Sequence, residues 1–296
     1  PYKIATIPDG KDGEYLTDRE SEEAIRFIES NPTKPFFLYL PHHAVHTPLM
    51  AKAESAQQFR SRKSPNKIHQ NAVYAAMLES VDDSVGRIRS KLSQLGISDN
   101  TVIVFTSDNG GLTGSTVNMG VRAGKGTAYE GGVRIPLLVY WPKETNPGLV
   151  SDESVISMDI TKTLLRACSG AKKNRVGLDG IDFSSTFDGK GRLSQRDLFW
   201  HFPHYHSMGA TPYSAILSGD FRLIHFYETN KIEMYDIKTD PMESQDISKS
   251  NPKLAKELMA RLNKWRLQVG AQEPVKNQNF NPGLVGIEAG GRHDSD

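Results

Sequence analysis

Three short, continuous apolar runs constrain this chain more than any other feature. They are Phe36-Phe37-Leu38-Tyr39-Leu40, Thr101-Val102-Ile103-Val104-Phe105-Thr106 and Ile135-Pro136-Leu137-Leu138-Val139-Tyr140. Runs of this length without polar alternation fit strands covered on both faces, the habit of parallel sheets. Helical patterns separate them. Leu16-Thr17-Asp18-Arg19-Glu20 leads into Ala24, Ile25, Phe27 and Ile28, and Asn31-Pro32 ends that segment. A longer pattern over about 67–95 repeats Tyr74, Met77, Leu78, Val81, Val85, Ile88 and Leu92 at steps of three and four, and Gly96 stops it. Residues 159–168 read as a further helix with Asp159 as its cap. Strand and helix in alternation predict an α/β layer around a parallel sheet.

From about Gln195 the texture changes to short runs: Leu198-Phe199-Trp200, Tyr213 to Leu217, Phe221 to Tyr227 and Met234-Tyr235-Asp236. Ser218-Gly219-Asp220 and Glu228-Thr229-Asn230-Lys231 are turn signals between them, so a small antiparallel sheet is expected. A helix over about 252–269 follows, with Leu254, Leu258, Leu262, Trp265 and Leu267 apolar. The last residues, rich in Gly, Asn and Gln, suggest an extended tail. The expected division is 1–190, 191–270 and 271–296.

Charge nearly cancels, with 36 Lys+Arg against 35 Asp+Glu, which argues against a nucleic-acid partner held by bulk charge. No run of about 18 apolar residues occurs, so no membrane-spanning helix is expected. The single cysteine, Cys168, excludes an internal disulfide and a multi-cysteine zinc site, and its helical context suggests a small core residue.

Three clusters are read as lying past the carboxyl ends of buried runs, where α/β enzymes place their chemistry. The first, Pro41-His42-His43-Ala44-Val45-His46-Thr47-Pro48, holds three of the nine histidines. The second, Thr106-Ser107-Asp108-Asn109-Gly110-Gly111, offers hard oxygen ligands suited to Ca²⁺ or Mg²⁺, although the same residues also make ordinary turns. The third is Gly124-Lys125-Gly126-Thr127-Ala128-Tyr129-Glu130-Gly131-Gly132-Val133-Arg134. Its lysine between two glycines reads as a point charge on a mobile loop, and it lacks the pattern of a P-loop.

In this order the clusters resemble the sulfatase family of the alkaline-phosphatase-like superfamily. Tyr74-x-x-Met77-x-x-x-Val81-Asp82-Asp83 and Asp236-Ile237-x-x-Asp240-Pro241-x-Glu243 extend the resemblance across residues 15 to about 268. It implies an α/β alkaline-phosphatase-like sandwich, present here in part, followed by the antiparallel subdomain with its terminal helix. It implies that Asp108 and Asn109 are Ca²⁺ ligands, that Lys125 binds sulfate oxygens, and that His46 protonates the leaving oxygen. Glu130 and Arg134 are expected to shape the loop. The run Trp200-His201-Phe202-Pro203-His204-Tyr205-His206 resembles a segment of polysaccharide sulfatases, with Trp200, His204 and His206 as substrate-binding candidates.

Sulfatases build a formylglycine from Cys or Ser in a Cys/Ser-x-Pro-x-Arg run, and this sequence contains none. The family's early Asp-Asp metal pair and its Gly-Lys-x-His run are also absent, and Asp82-Asp83 lies mid-helix. The resemblance therefore implies the carboxy-terminal part of a sulfatase, preceded by roughly 150–200 further residues that carry the formylglycine, and inactive alone. The expected substrate is a sulfated carbohydrate or aryl sulfate ester. Two other readings are a phosphodiesterase or phosphonate hydrolase of the same superfamily and a non-catalytic anion- or sugar-binding paralogue. Asn109, a poor zinc ligand, weighs against the two-zinc members. The absence of an Asn-x-Ser/Thr acceptor suits a periplasmic or secreted bacterial protein.

Overall fold

A computed structural model of the chain describes residues 7–30, 32–62, 70–169 and 177–280. They form two compact units. One comprises residues 1–105, 114–117 and 137–148, the other 106–113, 118–136 and 149–296, each as far as described.

The first unit is mainly helical. Helix α1 (Leu16–Ser30) buries Thr17, Ser21, Ala24 and Ile28, a stripe with steps of four, three and four. Helix α2 (Ala53–Ser61) buries only Ala56 and so has no apolar stripe by which to foresee it. Helix α3 (Ala72–Gln94) is the spine against which α1 and α2 both pack. Its N-cap is Asn71, whose side chain accepts the Tyr74 N–H at 3.0 Å. The pattern had suggested a start near residue 67, and 63–69 lie outside the described residues.

Strand β1 (Ile103–Thr106) pairs with β2 (Leu137–Tyr140) in a two-stranded sheet. The three apolar runs were expected to be covered on both faces. Instead Phe105, Leu138 and Tyr140 are exposed, and residues 36–40 form no strand among the described residues. Phe37 and Tyr39 are 75% and 77% exposed, while Leu38 between them is half-buried. A strand in a parallel sheet takes its cover from neighbours on both edges and both faces, and two paired strands provide too few of either. Among the described residues no helix is long and apolar enough to cross a membrane.

The second unit holds the antiparallel sheet expected from the turn signals, in the order β3 (Asp197–Phe202), β4 (Tyr213–Ser218), β5 (Phe221–Phe226), β6 (Lys231–Asp236). Gly219, at φ +58°, sits in the turn from β4 to β5, where a left-handed residue is needed. Every residue of β4 is buried. Ala215 and Ile224 face one core cluster with Ala128 and Tyr213, whereas Ile216, Leu223 and Met234 face another with Leu258 and Leu262. This two-sided cover explains why β4 and β5 lack the strict polar–apolar alternation of a one-sided antiparallel pair.

Helix α6 (Pro252–Val269) closes the second face, with Trp265 stacked on Phe199 at 4.7 Å. Leu254, Leu258, Leu262 and Trp265 point inward as expected, but Leu267 falls off the stripe and is 84% exposed. Helix α5 (Ser157–Ser169) begins two residues before Asp159. Asp159 is therefore not the cap expected from the sequence. Its carboxylate reaches back to accept the Ile156 N–H, the Ile181 N–H and the Arg196 guanidinium. Burial opposes its charge, yet these three donors hold its pKa below the usual carboxylate value. Cys168 is exposed on α5 rather than part of the core. Beyond α6, residues 271–280 carry no helix or strand, and the rest of the expected tail lies outside the described residues.

Candidate active site

In the first unit, the histidine loop divides into one fixed and two exposed rings. His42 has both nitrogens engaged, Nδ1 with Glu20 at 2.7 Å and Nε2 with Ser84 Oγ at 3.1 Å, so it ties the loop to α1 and α3. His43 and His46 are exposed and meet edge to face at 5.5 Å. His46 Nδ1 lies 2.6 Å from the Thr47 carbonyl. A carbonyl only accepts, so Nδ1 carries the proton and Nε2 is left for proton transfer.

The second unit brings together segments that the sequence separates. Gly110 N–H donates to the Gly132 carbonyl (3.1 Å), and Lys125 N–H donates to the Gly111 carbonyl (3.1 Å). Asn118, which the sequence reading passed over, clips both segments. Its Oδ1 accepts the Gly111 N–H at 2.9 Å, and its Nδ2 donates to the Gly111 and Ala123 carbonyls at 2.8 and 3.0 Å. The loop around Lys125 is thus held by a backbone lattice and is not the mobile loop expected from its glycines.

The glycines permit this close approach. A Cβ on Gly110 would lie 1.7 Å from the Gly131 oxygen, and one on Gly124 would lie 2.3 Å from the Gly111 oxygen. Gly110→Ala is therefore expected to push the two segments apart and destabilise the second unit by about 3 kcal/mol. Chemical denaturation followed by fluorescence of Trp200 and Trp265 checks this.

Two features of this lattice bear on chemistry. Asp108 is exposed and Lys125 half-buried, yet among the described residues neither the Asp108 carboxylate nor the Lys125 ammonium has a side-chain partner. The same holds for the Asn109 amide. Further, Gly126, at φ +74°, lies against the His206 ring, where a Cβ would come within 2.4 Å of Nδ1. His206 therefore flanks Lys125 across 81 residues of sequence. His206 Nδ1 accepts the Met208 N–H at 3.1 Å, and Phe202 packs against both His204 and His206. His204 is exposed.

Trp200 is part-buried. It packs against the core cluster of Ala128 and Tyr213, with the Arg222 guanidinium 4.9 Å from its ring.

Behind the loop lies a buried charge cluster. Arg222 on β5 is fully buried and donates to Glu130 (2.8 Å) and to the Ala128 carbonyl (2.6 Å). Its Nε is 3.5 Å from Glu243, which is fully buried and accepts the Glu130 N–H at 2.7 Å. Burial, reinforced by the Glu130 charge, pushes Glu243 up to about 7 against the opposing pull of Arg222. Tyr129, beside Glu130, is pushed up to about 12 by burial and by Glu233, with which it hydrogen-bonds at 3.0 Å. Glu130 shapes the loop, as expected. One signal could have exposed Arg222: it is a charge in the otherwise apolar run of β5.

The residues present match a cation site in kind but not in number. Asp108 and Asn109 are hard oxygen donors of the type Ca²⁺ prefers, but Ca²⁺ takes six to eight. Among the described residues no group of three or more His, Cys, Asp or Glu could hold a metal.

The Sulfatase family model matches residues 1–171, and the model "N-sulphoglucosamine sulphohydrolase, C-terminal" matches residues 124–268. A sulfatase of Formosa agariphila is 31% identical over 291 residues, covering 90% of this chain and 52% of that protein. Human arylsulfatase A is 31% identical, covering 86% and 46% respectively. The crystal structure of Ps i-CgsB superposes with a TM-score of 0.76 at 30% identity, covering 97% of this chain and 62% of that one. The chain thus spans about half the length of the curated relatives it matches. With the motif lattice of Asp108, Asn109 and Lys125 and these matches in agreement, the chain belongs to the sulfatase family.

Proposed function

We propose that this chain contributes the sulfate-binding part of a sulfuric ester hydrolase acting on a sulfated carbohydrate. The observation that carries the reading is the lattice that sets Lys125 beside the segment bearing Asp108 and Asn109, the side chains of all three being without a side-chain partner among the described residues. S–O cleavage builds negative charge on the leaving alkoxide and moves charge over the sulfate oxygens, so it needs fixed positive charge and a proton donor. Lys125 provides the fixed charge at the sulfate oxygens. His46 is the proton donor to the leaving oxygen through Nε2, while the Thr47 carbonyl accepts from Nδ1. Asp108 and Asn109 would hold Ca²⁺ together with further ligands; when bound, the ion supplies Lewis-acid stabilisation of the sulfate. The family's nucleophile, formylglycine, has no precursor run in this sequence. His204 and His206 contact the sugar hydroxyls, with Trp200 supporting them from the core.

A carbohydrate substrate is favoured because Ps i-CgsB, at 30% identity, has also been crystallised with k-i-k-neocarrahexaose. A periplasmic or secreted location fits such a substrate. The chain by itself, mixed with an aryl sulfate and Ca²⁺, is expected to show no turnover above buffer. Turnover that Lys125→Ala abolishes would show that it carries a complete site and would overturn this division of labour.

A further inference from the structure

The cluster of Arg222, Glu130 and Glu243 sits behind the loop that carries Lys125 and takes no part in the chemistry proposed above. Its contacts are specific to that loop. Arg222 binds the Ala128 carbonyl and the Glu130 side chain, and Glu243 binds the Glu130 backbone N–H. Arg122 donates to the Glu243 carbonyl at 2.8 Å, so the carboxyl is anchored from its own backbone as well. Glu243 itself has a left-handed backbone, φ +48°, uncommon for a non-glycine residue. Residues 124–132 are thus held at both ends, by Asn118 and Gly111 at one and by Arg222 and Glu243 at the other. Because the Lys125 side chain has no side-chain partner among the described residues, its placement depends on this backbone.

We propose that Glu243 and Arg222 are positioning residues for Lys125, and that ionisation of Glu243 loosens the loop. The inference deepens the reading of Lys125 as a sulfate ligand and rests on it only where sulfate is concerned. Arg222 is the fully buried cation that faces both buried carboxyls; Arg134, largely exposed, lies 3.7 Å from Glu130, and Arg122 acts on Glu243 more weakly. While Glu243 carries a proton, the buried Arg222 is balanced by Glu130. When Glu243 ionises, the cluster gains a second buried negative charge, whose desolvation outweighs the pull of Arg222 and Arg122. Neither Arg222 Nε nor Glu243 Oε1 has a hydrogen-bond partner to absorb it.

The sign follows from linkage. Glu243 is raised from its ordinary value of 4.5 to about 7 by burial. The closed loop therefore binds more protons than the open one between these values. The stability that this proton contributes is fully present below about 4.5 and is lost as pH rises through about 7. The titratable and charged groups facing Glu243 are Arg222 from β5, Glu130 and Tyr129 from the loop and Arg122 from the segment before it. His206 faces Gly126 rather than Glu243.

Amide hydrogen exchange on the full chain, corrected for intrinsic rates, tests this at pH 6 and pH 8. Protection of residues 124–132 is expected to fall at least threefold from pH 6 to pH 8 in the wild type. In Glu243→Gln, which keeps an acceptor for the Glu130 N–H but cannot ionise, it should stay level, while β4 and β5 are unchanged in both. A level wild-type profile overturns the proposal without recourse to any variant. So does an equal fall in Glu243→Gln, or a parallel change in β4 and β5, which would mark general loosening. Titration with inorganic sulfate separates the two readings. Weaker sulfate binding at pH 8 in the wild type, beyond that in Glu243→Gln, supports the link to Lys125. A pH-dependent loop whose sulfate affinity ignores Lys125→Ala leaves the positioning intact and overturns the sulfate role.

Discussion

Arg222→Ala is expected to destabilise the second unit by about 3–5 kcal/mol, the cost of leaving buried charge without its partner. The guanidinium is fully buried, hydrogen-bonds Glu130 and Ala128, and lies against Trp200. Its removal leaves the Glu130 and Glu243 carboxyls facing each other in a site without solvent. Proton uptake by Glu243, already raised to about 7, offsets part of this at low pH, so the loss should be larger at pH 8 than at pH 6. Arg222→Met, which restores volume without charge, should recover little. Combining it with Glu130→Gln should recover more, because the double variant removes the uncompensated charge. Denaturation monitored by Trp200 and Trp265, both in the second unit, checks the series. An Arg222→Ala protein as stable as the wild type would mean that the cluster is hydrated.

The fold was legible where local chemistry decides. Helix α6 begins at Pro252 and ends before Gly270, which is left-handed, so its bounds follow from a start and a stop signal as well as from its stripe. The turns around Gly219 and Asn230 likewise delimit β4, β5 and β6. Elements that depend on partners were misjudged. Residues 36–40 have the composition of a central strand, but no periodicity reveals whether neighbours are present to pair with it. Helix α2 escaped notice because its single buried residue, Ala56, makes no pattern.

The site divides in the same way. Asp108, Asn109 and Lys125 stand in contiguous motifs whose order along the chain carries the resemblance to sulfatases. The residues that hold them could not. Asn118 sits in a plain polar stretch, and Arg222 and Glu243 reach the loop across 92 and 113 residues. The glycines had suggested mobility, whereas their role is to let two backbones touch.

Lys125→Ala is the second large expected effect. Among the described residues the Lys125 ammonium, which the lattice sets beside the Asp108 segment, has no side-chain partner, so its removal costs little stability and much anion affinity. In a protein that also carries the nucleophile, losing such a stabilising group would lower kcat by about 100- to 1,000-fold. The direct measurement needs only this chain: titration of the ¹⁵N-labelled protein with inorganic sulfate at pH 6. The account predicts shifts confined to amides of residues 108–111 and 124–126 and a Kd at least tenfold weaker in Lys125→Ala. Shifts scattered over the surface, or equal affinity in the two proteins, would contradict it.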